Sequence, residues 1–317
     1  MKCIFCRTER NDSEFSDEHV FPEAIGSKLT IRSVCKPCND YLGHSIDTHL
    51  TNHPFIQFKR HLLGLSGKSN KLPNPLEYGI LSEHPDQKLI YILDSEGKPE
   101  ELYIVPNVSR EKLQDGTEKV SIRVDAKDKK KIPGIINRIR ERAGLPPMSE
   151  EEIEKQQRRE SIPNPWMNIK MQVDLQKYKR AVLKIAYELA WRWLGPTYLE
   201  DPIAETIRAC IMDRSLKGDW ASKYPVKGTI NFIDGKTVFP MWQQEDNSHI
   251  AFVMPSGHEL ACYVRVFQVF EGMINISTDA KRYTGFDGHF VAIDPVTANL
   301  RESTLYEEIG RIGQGAG

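Results

Sequence analysis

Four of the six cysteines stand in two Cys-x-x-Cys pairs, Cys3/Cys6 and Cys35/Cys38, on either side of residues 7–34. Two such knuckles bracketing one short segment supply four thiolates, which close a tetrahedral zinc site with bonds of about 2.3 Å. A metal of this kind contributes folding energy directly, which a segment of about fifty residues needs to be rigid. Disulfides, four free thiols or a redox pair are the competing readings. Six cysteines in 317 residues is sparse, however, and paired CxxC knuckles in a reducing compartment point to metal. A four-thiolate site leaves no open position for water or substrate, so this zinc is expected to be structural. Cys210 and Cys262 lie in apolar stretches, ETIRACIMD and HELACYVRV, and read as small buried hydrophobes.

The residues suited to chemistry lie between and just after the knuckles. Glu18-His19 falls in the stretch SDEHVFPEAIG, Asn39 follows Cys38 directly, and Asp47 stands eight residues further on. A neutral imidazole can take a proton from water near neutral pH. A carboxylate suits a hard divalent cation. Asn39, Gly43 and Asp47, at i, i+4 and i+8, share a face of a helix starting near Asn39. On that face Asn39 can bond to backbone, and Asp47 can share a cation with Glu18. His44, one position off the stripe, is the competing ligand. Each of these residues alone is more often a cap or a solvated side chain. Their position beside the knuckles gives them weight.

CxxC, EHVFPEAIG and VCKPCNDYLGHSID, in that order, resemble the HNH endonuclease family and its ββα-metal fold, most of all the zinc-stapled subgroup. The resemblance covers about residues 3–50. It implies hydrolysis of nucleic-acid phosphodiester bonds with one catalytic Mg²⁺ or Mn²⁺. It places His19 as general base, Asn39 as the asparagine that orients the base-bearing loop, and Glu18 and Asp47 as acidic or metal-ligand positions. Many family members carry histidine or asparagine where Asp47 stands, which leaves its role and that of His44 open. Lys28, Arg32 and Lys36 lie in the same module and are the candidate phosphate contacts.

The remainder of the chain matches no family known from its residues. An apolar fraction of 39%, a charged fraction of 27% and a net charge of −1 fit a globular protein of two or three domains. The near-neutral total does not exclude nucleic acid, because basic runs at Lys127–Lys131 and Arg138–Arg142 are local, although each taken alone reads as a solvated face. No apolar run reaches the roughly 18 residues of a membrane helix, and MKCIFC opens without a signal core, so a cytoplasmic protein is expected.

Hydrophobic patterning gives an α+β fold: a module at 1–60, a charged α+β middle region at 61–170, and a recognition or sensing domain at 171–317. Strands are expected at Leu76–Leu81, Lys88–Leu93, Glu101–Val105 and Lys119–Val124, with helices at Ile132–Ala143 and from Ser149 to Arg159. Asp174–Leu194 gives the longest helix pattern, with Leu175, Tyr178, Val182, Ile185, Leu189 and Trp193 on one stripe. A second helix begins at Asp201-Pro202. A C-terminal antiparallel sheet follows, with strands at Lys227–Ile233, Lys236–Met241, Ile250–Pro255, Glu259–Phe267 and Gly272–Thr278, an Asp234-Gly235 hairpin and a frayed tail from Gly313.

The leading functional expectation is a DNA endonuclease, with the choice between DNA and RNA left open by the sequence. By analogy alone, the appended region suggests a restriction or phage-defence effector, with a second copy or a regulatory partner bound through it. The competing expectation is a non-catalytic zinc module that binds nucleic acid or protein.

Overall fold

The structure is a computed structural model; it describes all residues but 95, 97, 163–164, 170–173, 217, 219, 234–236, 243–244, 246 and 316–317. Contacts divide the chain into one unit formed by Met1–Pro73 with Val173–Gly317, and a second unit, Asn74–Gln172.

The first unit opens with the Cys3–Cys6 knuckle, where the Arg7 amide donates to the Cys3 carbonyl at 3.0 Å. Strands β1 (Phe15–His19) and β2 (Thr30–Cys35) pair antiparallel, with Phe15 opposite Cys35 and His19 opposite Thr30. Helix α1 (Lys36–Tyr41) starts three residues earlier than expected. Pro37, in its first turn, has no amide to leave unpaired, so the second knuckle forms part of the helix start. A π-helical turn at Leu42–Ile46 carries α1 into α2 (Asp47–Thr51), and α3 (Pro54–Leu62) follows. Leu42, Ile46 and Leu50 face the core, and Tyr41 is partly buried against it.

The second unit contains β3 (Gly79–Leu81), β4 (His84–Leu93), β5 (Pro99–Ile104), β6 (Asn107–Lys112), β7 (Glu118–Arg123), α4 (Ile132–Arg142), α5 (Glu150–Gln156) and β8 (Met167–Asn168). One sheet runs β5-β4-β3-β8, and β6 and β7 form a separate hairpin. Strand β6 was not expected: its residues are almost all exposed and lack the alternation that betrays a half-buried strand. Helix α5 carries the capping box between Ser149 and Glu152 but ends at Gln156, three residues short of Arg159.

The chain then returns to the first unit with α6 (Leu175–Leu194) and α7 (Pro202–Met212). Asp174 caps α6 through the Lys177 amide, and Asp201 caps α7 through the Ile203 amide. Strands β9 (Gly228–Phe232), β10 (His249–Ser256), β11 (Glu259–Val266), β12 (Phe270–Ser277), β13 (His289–Ile293) and β14 (Leu300–Thr304) precede α8 (Leu305–Gly315). They form one antiparallel sheet in the order β14-β13-β10-β11-β12-β9. Strands β13 and β14 and helix α8 lie beyond the expected elements, and most of the expected frayed tail belongs to α8. Of the expected strand Lys236–Met241, Lys236 and the Asp234-Gly235 turn lie outside the described residues. Thr237–Phe239 is not strand, and Pro240–Trp242 is a 3₁₀ turn.

Helix α6 is the axis of this unit. It packs on β11 and β12 of the sheet and on α2 of the cysteine-bearing segment. Residues Tyr178 and Arg180–Ala190 are buried on every side of the helix, so the single expected stripe understates its burial. The cysteine segment is tied to the later chain by polar contacts as well. Tyr187 Oη donates to the Ile4 carbonyl at 2.7 Å, and Arg208 donates to the Phe5 carbonyl at 2.7 Å. Gly26 has φ +90°, and a Cβ there would lie 2.2 Å from the Pro295 carbonyl oxygen, so the close approach of these two loops requires glycine.

His249 is a further tie. Its Nδ1 accepts from the Phe267 amide at 3.2 Å, which leaves Nε2–H to donate to the Ile25 carbonyl at 2.8 Å. Burial pulls this imidazole down to about 4, so the fold holds it neutral. An unfolded histidine titrates near 6.5, so the unfolded state binds the extra proton between these values. Stability from this group is complete above about pH 6.5 and is lost as pH falls toward 4, by about 3 kcal/mol. Denaturant unfolding at pH 7 and pH 4 should show wild type losing about that much more than His249→Gln; equal losses would contradict the buried neutral tautomer.

Candidate active site and zinc staple

The four sulfurs of Cys3, Cys6, Cys35 and Cys38 all lie within 4.8 Å of one another. Cys6 Sγ and Cys35 Sγ are 3.7 Å apart, close to the roughly 3.8 Å edge of a tetrahedron with 2.3 Å zinc–sulfur bonds. The Cys35 amide points at Cys3 Sγ from 3.4 Å, as amides do toward metal-bound thiolates. The donor set is closed and fits structural zinc. The staple holds the Cys3–Cys6 knuckle against the β2–α1 junction.

Asn39, on the second turn of that junction's helix, reaches back to β1. Its Nδ2 donates to the Asp17 carbonyl at 2.9 Å and to Ser16 Oγ at 3.0 Å. These bonds pin the strand just before Glu18 and His19, where the β1–β2 register is irregular. His19 is half-buried at the strand end. Burial lowers its pKa below the ordinary histidine range, opposed by Glu23. A neutral, partly accessible imidazole on a pinned strand is equipped to accept a proton.

Glu18 and Asp47 are brought together by a residue that sequence patterning missed. Lys184 of α6 is fully buried, with Nζ 2.6 Å from Glu18 Oε1 and 3.3 Å from Asp47 Oδ1. It also donates to the His19 carbonyl at 2.5 Å and lies 3.4 Å from Glu188 Oε2. Burial alone would strip its proton, but Asp47, Glu18 and Glu188 together hold its pKa above the ordinary lysine range. Burial raises the pKa of Glu18 and of Asp47, against the pull of Lys184 on each. Burial raises the pKa of Glu188 as well, again against the pull of Lys184.

The resemblance places a catalytic cation between Glu18 and Asp47. A divalent ion on those oxygens would share its ligands with the ammonium, and cations of +2 and +1 held that close repel by several kcal/mol at an effective dielectric of about 20. The pair therefore does not fit a divalent ion while Lys184 stands between them. His44 is exposed, with Nδ1 2.7 Å from the Asp40 carbonyl.

Lys28, Arg32 and Lys36 are exposed, and Arg32 is 3.8 Å from Asp17. Lys68 was not among the candidates. It is exposed, pairs with Glu23 at 3.5 Å, and its charge acts on Glu18, His19 and Asp47. It comes from the loop Ser66–Pro75, whose composition reads only as linker. Arg192 pairs with Glu302, and Trp193 stacks on His289, so the Trp191-Arg192-Trp193 run is engaged in packing.

Residues 3–55 match the family model described as HNH endonuclease. The matched segment is an HNH-type module of two strands and a helix, with a four-cysteine cluster suited to zinc. No curated protein and no solved structure matches the chain. Among the described residues, no helix is long and apolar enough to cross a membrane.

The HNH module's closed thiolate set predicts one zinc per chain, lost in Cys35→Ser/Cys38→Ser. Removing zinc from wild type with a chelator should lower the melting temperature and expose the module to protease, because binding energy at such sites is folding energy. Full thermal stability in a zinc-free protein would contradict the staple.

Proposed function

We propose that the chain hydrolyses nucleic-acid phosphodiester bonds, DNA first, with His19 as general base. The observation that supports this reading most is the pinning of the Glu18-His19 strand by Asn39 within the segment matched as HNH endonuclease. In this reading the neutral His19 imidazole takes a proton from water as the water oxygen attacks phosphorus. The P–O bond to the leaving sugar oxygen breaks, that oxygen takes a proton from solvent, the proton held by His19 is returned to solvent, and no residue becomes covalently attached. Asn39 keeps the imidazole aligned by holding the backbone that carries it. Lys68 and the exposed Lys28, Arg32 and Lys36 supply positive charge for the phosphate backbone. No step is routed through a divalent ion on Glu18 and Asp47, because those carboxylates are engaged by Lys184. A defence role would place the same chemistry against foreign DNA.

A second reading, a non-catalytic zinc module that binds nucleic acid, is favoured by that same engagement of Glu18 and Asp47. Cleavage of plasmid DNA and of labelled RNA, with and without Mg²⁺ or Mn²⁺, separates the two. His19→Ala should lower kcat/KM by roughly 10²–10⁴-fold, as loss of a general base does. Equal cleavage by both proteins would remove His19 from the chemistry. Binding without cleavage in either would favour the second reading.

A further inference from the structure

Five oxygens converge on the Lys184 ammonium, at a depth where a bare positive charge is costly. Carboxylates of Glu18, Asp47 and Glu188 lie at 2.6, 3.3 and 3.4 Å, and the His19 and Val20 carbonyls at 2.5 and 3.5 Å. Lys184 and Glu188 are fully buried. Neither Glu188 oxygen accepts a hydrogen bond in the structure, although both are shielded from solvent and one faces the ammonium. An all-oxygen cage of three carboxyl groups and two backbone carbonyls is the donor chemistry of a hard cation site. The ligands come from β1, the loop after it, α2 and α6, so the cage exists only in the assembled unit.

We propose that Glu18, Asp47 and Glu188 form a cation site whose resident cation is the Lys184 ammonium, and that a divalent ion enters it only when that ammonium is removed. Glu188 is the third carboxylate of the cage, and Lys184 and a divalent ion exclude each other. The lysine does for the HNH module what a bound ion would do structurally: it joins the strand end at Glu18-His19 to the start of α2. It does so as a tethered charge that cannot dissociate. The inference reaches beyond the proposed cleavage reaction and reads ion binding, so its failure and the failure of that reaction are seen separately.

The test uses the zinc-loaded full-length protein and Mn²⁺ alone, followed by electron paramagnetic resonance of the free ion at pH 7. Wild type, Glu18→Gln and Asp47→Asn should give superimposable Mn²⁺ titrations. Lys184→Met, which keeps the stem and removes the charge, should gain one Mn²⁺ equivalent, and Lys184→Met/Glu188→Gln should bind it at least tenfold more weakly. The melting temperature of Lys184→Met should rise on adding Mn²⁺ while that of wild type does not. Mn²⁺ binding by wild type that weakens tenfold or more in Glu18→Gln or Asp47→Asn would overturn the proposal. So would a folded, zinc-loaded Lys184→Met that binds no more Mn²⁺ than wild type. If Lys184→Met does not fold, the comparison of wild type with Glu18→Gln and Asp47→Asn decides alone.

Discussion

The ammonium of Lys184 is the interaction on which the first unit turns. Burying a charge costs several kcal/mol, and the cost is met only when partners are close and well directed. Here the partners come from distant parts of the chain: Glu18 and His19 from β1, Asp47 from α2, and Glu188 one turn along α6. The charge can be satisfied only if the HNH module and α6 are docked together. Removing one partner of such a cluster leaves the rest buried and uncompensated, at a cost of roughly 3–5 kcal/mol. The same contact makes the geometry of the candidate site depend on the C-terminal part of the chain, even though the motif residues all lie before Leu50.

Two devices therefore divide the work. The four-cysteine cluster fixes the knuckles and the start of α1, and through Asn39 it sets the backbone under Glu18 and His19. Lys184 fixes the far side of the same strand end and the approach of Asp47. His249 and Gly26 fasten the loop after β1 to the C-terminal sheet and to the loop at Pro295. His19 is thus held from two sides, while its ring remains half-buried and accessible to a proton.

Much of the module was legible because its signals are local. Cysteine spacing and the run of motif residues after the second knuckle each act within a few residues, although the start of α1 at Lys36 was not read from them. The caps Ser149 and Asp201 were legible for the same reason. Lys184 and Glu188 were not, because an i, i+4 Lys–Glu pair on a helix ordinarily reads as a solvated salt bridge. One signal was available. Residues 181–190 are apolar around the whole circumference except at these two positions, and a helix apolar all round is buried. Strand β13 escaped because the sheet is covered on both of its faces: Phe290 and Ala292 line a second core with Trp242, while Val291 and Ile293 join the main one. That arrangement erases the alternation by which strands are read.

The most direct test of the central claim is a crystal structure of the zinc-loaded, full-length protein grown with Mn²⁺, with anomalous difference maps at the manganese edge. The account predicts Lys184 Nζ within hydrogen-bonding distance of Glu18 and Asp47, and no manganese peak between them. A manganese peak bridging Glu18 and Asp47, with the Lys184 side chain turned away, would contradict it.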